Sequence, residues 1–368
     1  MKYLAIALFC LLSTASSAQS NLPSISDLDS AWNTLPTDGV CSAGMPYQFH
    51  AKPSSASNNL LIFFNGGGAC WFGQACDLGS QPNIHTPFAD MDQNNPALSK
   101  GIFDFENSEN PFADYDMVFI PYCTGDVHIG AGEHTYTYEN AEGKEVHYTA
   151  HHTGYENTQT ILNWIYENFP APDKVIIAGS SAGAIGSSFY SGLVAEHYST
   201  APAVLLADAG GAYRTSRLPV LQHAWDTASI LPDWDEYAGE TNDTITFEDF
   251  YIASAKHNSN LTLAQYNAAE DETQIMFTQI IGDPPGSFSL PQRILTNYQE
   301  IESAVDEFYS YTAGGRVHMI LQDDIFYRYE VEGVRFVDWV NDLINAKQVR
   351  DISCVSEAAG CDVAPGTD

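Results

Sequence analysis

The sequence predicts an α/β fold: a mostly parallel sheet covered by helices on both faces, with a helical insertion. Three observations carry this. Residues 59–64 (Asn-Leu-Leu-Ile-Phe-Phe) and 116–120 (Asp-Met-Val-Phe-Ile) are near-continuous apolar runs, as expected of strands buried on both sides. Residues 156–168 carry Ile161, Leu162, Trp164 and Ile165 close to helical periodicity, and Pro170 and Pro172 end the run. A third apolar run, 175–178, passes through Gly179-Ser180-Ser181-Ala182-Gly183 into a helix-compatible stretch at 187–197. Strands alternating with helices in this way imply parallel pairing.

The remaining elements follow in chain order. Residues 1–18 read as a secretory signal peptide: Lys2 is the charged start, residues 3–12 are an apolar core too short to span a bilayer, and Ser16-Ser17-Ala18 offers small residues for cleavage. Residues 19–368 contain no low-complexity linker or internal repeat and are expected to form one domain. After the Gly-rich turn, residues 203–207 make a strand ending at Asp208. Residues 213–260, rich in Trp, Asp and Thr, fit the sheet poorly and read as a helical insertion or lid. Strand character returns at 261–266, a helix fits 271–280, and Gly282-Asp283-Pro284-Pro285-Gly286 is a loop. The last predicted strand, 308–312, empties into Gly314-Gly315-Arg316-Val317-His318. Phe336, Val337, Val340, Leu343 and Ile344 then mark a closing amphipathic helix.

Charge and cysteines bound the function. With 14 basic against 47 acidic residues the formal charge is −33, which repels nucleic acid and anionic membranes and suits solubility in a salty exterior. No later apolar run is long enough for a membrane helix, so membrane insertion is not expected. Loss of the signal removes Cys10 and leaves Cys41, Cys70, Cys76, Cys123, Cys354 and Cys361. An even count in an exported chain reads as disulfides. Close spacing favours Cys70 with Cys76 and Cys354 with Cys361, which leaves Cys41 for Cys123. No CxxC pair or adjacent histidine supports a zinc site.

Gly179-x-Ser181-x-Gly183, between a buried strand and a helix, is a nucleophile elbow: the sharp turn exposes a serine beside donors for a developing oxyanion. Ser180 is the rival within the motif but lies one residue off the apex. A serine of ordinary acidity needs a histidine to take its proton and a carboxylate to orient that histidine. In α/β hydrolases both lie downstream of the serine, which leaves His223, His257 and His318. The first two fall in the insertion, whereas His318 follows the last predicted strand, so His318 is the expected base. Asp208, Asp271 and Asp283 all lie near strand ends. Asp271 occupies the usual place of the acid, yet an aspartate there also suits a helix cap. For the oxyanion, Ala182 follows the nucleophile, and the run Gly66-Gly67-Gly68-Ala69 after an early strand offers further backbone amides. No Gly-Lys-Ser/Thr ending makes that run a nucleotide loop.

These segments together resemble the pectin acetylesterase and Notum family of carboxylesterases, particularly its bacterial secreted members. The resemblance rests on Asn65-Gly-Gly-Gly-Ala-Cys-Trp71, on Val118-Phe-Ile-Pro-Tyr-Cys-Thr-Gly-Asp-Val-His128, on the elbow, on Asp271-Glu-Thr-Gln274 and on the His318 loop with Leu321 and Tyr327. It spans roughly residues 59–361. It implies an α/β-hydrolase-like serine esterase without a metal or organic cofactor. It assigns Ser181 as nucleophile, Asp271 as acid and His318 as base, with Gly67, Gly68 and Ala182 as the oxyanion hole. It places Trp71 beside the pocket as a substrate-binding residue, and His128 and Asp126 near it, although packing roles suit Trp71 and His128 equally. Met319 departs from the small polar residue more usual after the histidine, which bears on acyl preference. The implied reaction is hydrolysis of an ester, with O-acetyl groups of a polysaccharide such as pectin as the expected substrate. The alternatives are a general carboxylesterase or fatty-acyl deacylase with the same residues, or a non-catalytic carbohydrate-binding protein on the same fold. Oligomeric state is not addressed by the sequence.

Overall fold

Alternate residues of the buried strands feed two separate cores, one on each face of a central sheet. The computed structural model describes residues 22–356, 360 and 361, so the expected signal peptide at 1–18 lies outside the described residues. The chain opens with β1 (Asn33–Val40), β2 (Pro46–Lys52) and β3 (Asn59–Phe64), followed by the single turn α1 (Gly73–Cys76) and β4 (Asp116–Ile120). A two-stranded ribbon, β5 (Gly132–Glu139) and β6 (Glu145–His152), leads into α2 (Gly154–Asn168). Then come β7 (Lys174–Ser180), α3 (Ala182–His197), β8 (Ala203–Asp208), α4 (Leu218–Trp225), α5 (Phe247–His257), β9 (Leu261–Ala268), α6 (Glu272–Ile281), α7 (Leu290–Ala304) and β10 (Phe308–Ala313). A short hairpin, β11 (Glu330–Val331) and β12 (Val334–Arg335), precedes α8 (Phe336–Ile344) and β13 (Ile352–Ser353).

The central sheet has nine strands in the order β1-β2-β4-β3-β7-β8-β9-β10-β13. Every pair from β4 to β13 is parallel, and only β1–β2 and β2–β4 are antiparallel. The α/β class read from the sequence is therefore the observed one. Leu60, Ile62 and Phe64 of β3 face one core with Ile161 of α2, Phe189 of α3 and Phe250 of α5. Leu61 and Phe63 face the other with Phe336, Val340 and Leu343 of α8. Fully parallel strands need helices on both sides to bury both rows, which explains the near-continuous apolar runs.

The segment expected to be an insertion or lid, 213–260, holds α4 and α5 between β8 and β9. α5 begins with a capping box between Thr246 and Asp249 and packs along α3. α4 sends Leu221 and Trp225 towards the elbow. The last strand predicted, β10, is not the sheet's edge, because β13 adds a two-residue parallel strand beyond it. The cysteines pair as Cys41–Cys123, Cys70–Cys76 and Cys354–Cys361, the arrangement their spacing favours. Among the described residues, no helix is long and apolar enough to cross a membrane.

Candidate active site

Ser181 sits between the end of β7 and the start of α3 with φ 56° and ψ −120°, a backbone region that non-glycine residues seldom occupy. Its amide donates to the Asp208 carbonyl at 2.7 Å, tying the turn to the end of β8. The side chain of the rival Ser180 points elsewhere: its hydroxyl donates to Asp208 Oδ2 at 2.7 Å and is fully buried.

His318 lies in the loop after β10. Its Nε2 is 2.8 Å from Ser181 Oγ and its Nδ1 is 2.6 Å from Asp271 Oδ2. For Nε2 to accept the serine proton, the ring hydrogen must sit on Nδ1, where Asp271 accepts it. Asp271 ends the loop after β9 and is the N-cap of α6. Its Oδ1 accepts from the amides of Thr273 and Gln274 at 2.9 and 3.0 Å, and its Oδ2 also accepts from Gln274 Nε2 at 3.0 Å. Helix capping and contact with the histidine are thus carried by one carboxylate. The other downstream candidates lie apart from this line. Asp283 accepts from Arg293 at 2.6 Å, His223 pairs with Asp243, and His257 stands between Glu196 and Glu236.

The glycine run passes directly over the elbow. A Cβ on Gly66 would fall 2.5 Å from the Ser180 carbonyl oxygen and 2.8 Å from Ser181 Cβ. Gly68 has φ +75°, and a Cβ there would fall 2.0 Å from the Ile84 carbonyl oxygen. Among the described residues, no hydrogen bond uses the amides of Gly67, Gly68 or Ala182, so these donors are free for a ligand beside Ser181. The run is anchored at Asn65, whose carbonyl accepts from His128 Nε2 at 2.8 Å and whose Oδ1 accepts from Gln322 Nε2 at 2.8 Å.

A narrow cleft opens from Ser181, lined by Trp71, Ile185, Leu221, Trp225, Phe247 and Phe277 among others. Trp225 donates its indole N–H to the Cys70 carbonyl at 2.9 Å, leaving an apolar ring for the cleft. Trp71 therefore stands at the pocket, but His128 does not line it. His128 is buried behind the glycine run, where desolvation lowers its imidazole to about 4. The neutral ring braces Asn65, and its neighbour Val127 lines the cleft instead. Val127 and His128 both take positive φ, at 49° and 69°. Buried Asp126 holds them there, accepting from Thr124 Oγ1, the His128 amide and the Gly154 amide.

Cys70, Cys76 and His152 are close enough together to resemble a metal site. The two sulfurs are bonded to one another, however, and a disulfide sulfur lacks the thiolate character a metal ligand needs. Sequence reasoning did not single out Gln274, Asn65 and Gln322 as supports of the site. Their signal was present only as positions inside quoted motifs or beside the base loop.

The model of the pectinacetylesterase family matches residues 25–239 of this chain. Among curated proteins, the chain is similar to the palmitoleoyl-protein carboxylesterase NOTUM of Homo sapiens, 29% identical over 153 residues, covering 41% of this chain and 29% of that protein. Palmitoleoyl-protein carboxylesterase notum1 of Xenopus laevis is 27% identical over 158 residues, covering 43% of this chain and 30% of its own length. The inactive palmitoleoyl-protein carboxylesterase notum1b of Danio rerio is 28% identical over 93 residues, covering 25% of this chain and 66% of that protein. The match spans less than a third of the length of the first two relatives, and the third shows that kinship alone does not decide catalysis. With the match covering more than half its residues, this chain belongs to the pectinacetylesterase family.

Proposed function

We propose that this protein is an exported serine carboxylesterase that works through an acyl-enzyme on Ser181. The observation that carries the reading is the line Ser181–His318–Asp271, closed by contacts of 2.8 and 2.6 Å at a strained elbow. Ser181 Oγ attacks the ester carbonyl while His318 Nε2 takes its proton, and Asp271 holds the ring and balances the imidazolium. The amides of Gly67, Gly68 and Ala182 receive the oxyanion. His318 then protonates the leaving alcohol, and water repeats the sequence to free the acid. Export is supported by three disulfides, which persist in oxidising compartments.

The family description supports an acetylated carbohydrate such as pectin as substrate. One observation favours a second reading, in which the acyl chain is longer than acetyl. The cleft beside Ser181 is walled mainly by aliphatic and aromatic side chains, and an acetyl group offers it one methyl. Each further methylene buried there contributes about 0.8 kcal/mol, roughly a fourfold gain in kcat/KM. The chain's charge of −33 also repels a pectin polyanion in dilute buffer, although marine salt screens this.

The test uses p-nitrophenyl esters from acetyl to decanoyl beside acetate release from acetylated pectin. Ser181→Ala should abolish turnover of all of them while the protein stays folded; retained turnover removes the acyl-enzyme. A rise in kcat/KM with chain length selects the longer-acyl reading, and acetate release from pectin above that from acetyl esters selects the polysaccharide. Failure to label with a fluorophosphonate probe would instead indicate a non-catalytic carbohydrate-binding role.

A further inference from the structure

Asp208 has no place in the proton path, yet it is the buried group that joins the nucleophile's strand to the base's loop. It closes β8, one strand from the elbow, and is fully buried. Its Oδ2 accepts three hydrogen bonds: from Ser180 Oγ at 2.7 Å, and from the amides of Ile320 and Leu321 at 3.1 Å each. Its backbone carbonyl accepts a fourth, from the Ser181 amide at 2.7 Å. One residue therefore holds the nucleophile, the residue before it, and the chain two and three positions beyond His318. Oδ1 has no partner among the described residues. Burial accordingly pushes the carboxyl up to about 6, against the lowering effect of the donors on Oδ2 and of nearby His318.

Placing a carboxylate in such a site costs free energy that a merely space-filling residue would not incur. Besides this strap, the loop 314–321 is held by Gly315, whose amide donates to the Cys361 carbonyl and whose carbonyl accepts from the Glu270 amide, and by the Leu321 carbonyl, which accepts from the Ile102 amide. The exposed Arg316–Glu272 pair, His318's own contacts and Gln322, which reaches Asn65, hold it further. Of these, only the Asp208 strap ties the loop directly to the elbow's own residues apart from His318 itself. We infer that Asp208 is a positioning residue, which holds His318 Nε2 at the Ser181 hydroxyl by clamping the Ile320 and Leu321 amides to the elbow. It acts through geometry. An amide oxygen in the place of Oδ2 can accept the same three bonds, with its NH2 in the place of the unpartnered oxygen. The inference rests on the reading of Ser181 and His318 as the reacting pair.

The experiment compares Asp208→Ala, Asp208→Asn and Ser180→Ala with the parent. Each is measured on one p-nitrophenyl ester, with kcat expressed per serine titrated by fluorophosphonate. A misplacement of about 1 Å at a reacting pair lowers turnover by as much as about a hundredfold. Asp208→Ala should therefore lose at least about tenfold in kcat per titrated site with KM within about twofold, and Asp208→Asn should recover most of that loss. Equal kcat per site in the parent and Asp208→Ala overturns the inference, as does an Asn variant no better than Ala. Should Asp208→Ala not fold, Ser180→Ala decides. That variant removes one of the three donors, and a fall of about threefold or more at constant KM supports the clamp, whereas unchanged kcat overturns it. Ser181→Ala separates the two levels. If that variant keeps its turnover, the reading of the site has failed, whereas a dead Ser181→Ala beside an undisturbed Asp208→Ala rejects the clamp alone.

Discussion

Asp271 gives one carboxylate oxygen to the first turn of α6 and the other to His318, 2.6 Å from its Nδ1. Replacement by Asn separates these duties. The amide oxygen can still cap Thr273 and Gln274, but its NH2 then meets Nδ1–H and Gln274 Nε2, both donors. Asp271→Asn should lower kcat by about 10⁴. Asp271→Ala should lose a similar factor and, in addition, roughly 1 kcal/mol of stability with the cap. Paired kinetics and urea unfolding check this; an Asn variant within about tenfold of the parent would count against Asp271 as the orienting acid.

Leu221 lines the cleft from α4, and a larger ring there should shorten it. Leu221→Trp should cut kcat/KM for an octanoyl ester by about tenfold or more while leaving the acetyl ester within about threefold. Uniform loss across the acyl series would mean that the chain does not enter this cleft.

Gly68 combines φ +75° with a Cβ position 2.0 Å from the Ile84 carbonyl oxygen. Gly68→Ala must displace either the glycine run or the Ile84 segment packed against it, and so disturb the free amides. Turnover should fall by about 10² to 10³, with fluorophosphonate labelling slowed in parallel, as expected for a damaged oxyanion site. Labelling at the parental rate would place the oxyanion elsewhere.

His152 is buried between the Thr124 carbonyl, 3.0 Å from Nδ1, and the Tyr136 hydroxyl, 2.8 Å from Nε2. Desolvation lowers its imidazole to about 3. A group depressed in the folded state contributes stability that is present above its unfolded value of about 6.5 and is lost as pH falls towards the folded value. Gln can accept from Tyr136 and donate to Thr124 without titrating. Between pH 7.5 and pH 5, His152→Gln should therefore gain on the parent by about 2 kcal/mol in urea unfolding. A gap independent of pH would show that His152 does not stay neutral in the fold.

The parallel strands were legible because burial on both faces leaves a run of apolar residues that no other element of that length explains. β1 and β2 were not. β1 is an edge strand interrupted by Pro36, half-exposed and irregular in register, so its residues answer to solvent as much as to the core. The β5–β6 ribbon was missed for a related reason: its outer faces carry polar pairs such as Thr135 with Thr149. β13 is two residues long, below any periodicity.

At the site, the sequence alone determined the elbow, because a strand, a Gly-x-Ser-x-Gly turn and a helix are contiguous and the backbone geometry they need is local. Chain order reduced the candidates for the base to His223, His257 and His318, and the place of the last one after the final predicted strand made it the expected base. The sequence could not choose among Asp208, Asp271 and Asp283 without the family resemblance, since each sits near a strand end with good local reasons to be there. Tertiary structure separated them. Asp271 meets a histidine 47 residues away, Asp208 meets amides 112 and 113 residues away, and Asp283 meets the partly buried Arg293 ten residues on. Such assignments depend on which loops the parallel sheet brings to one end, and hydrogen bonds across that distance leave no periodic trace along the chain.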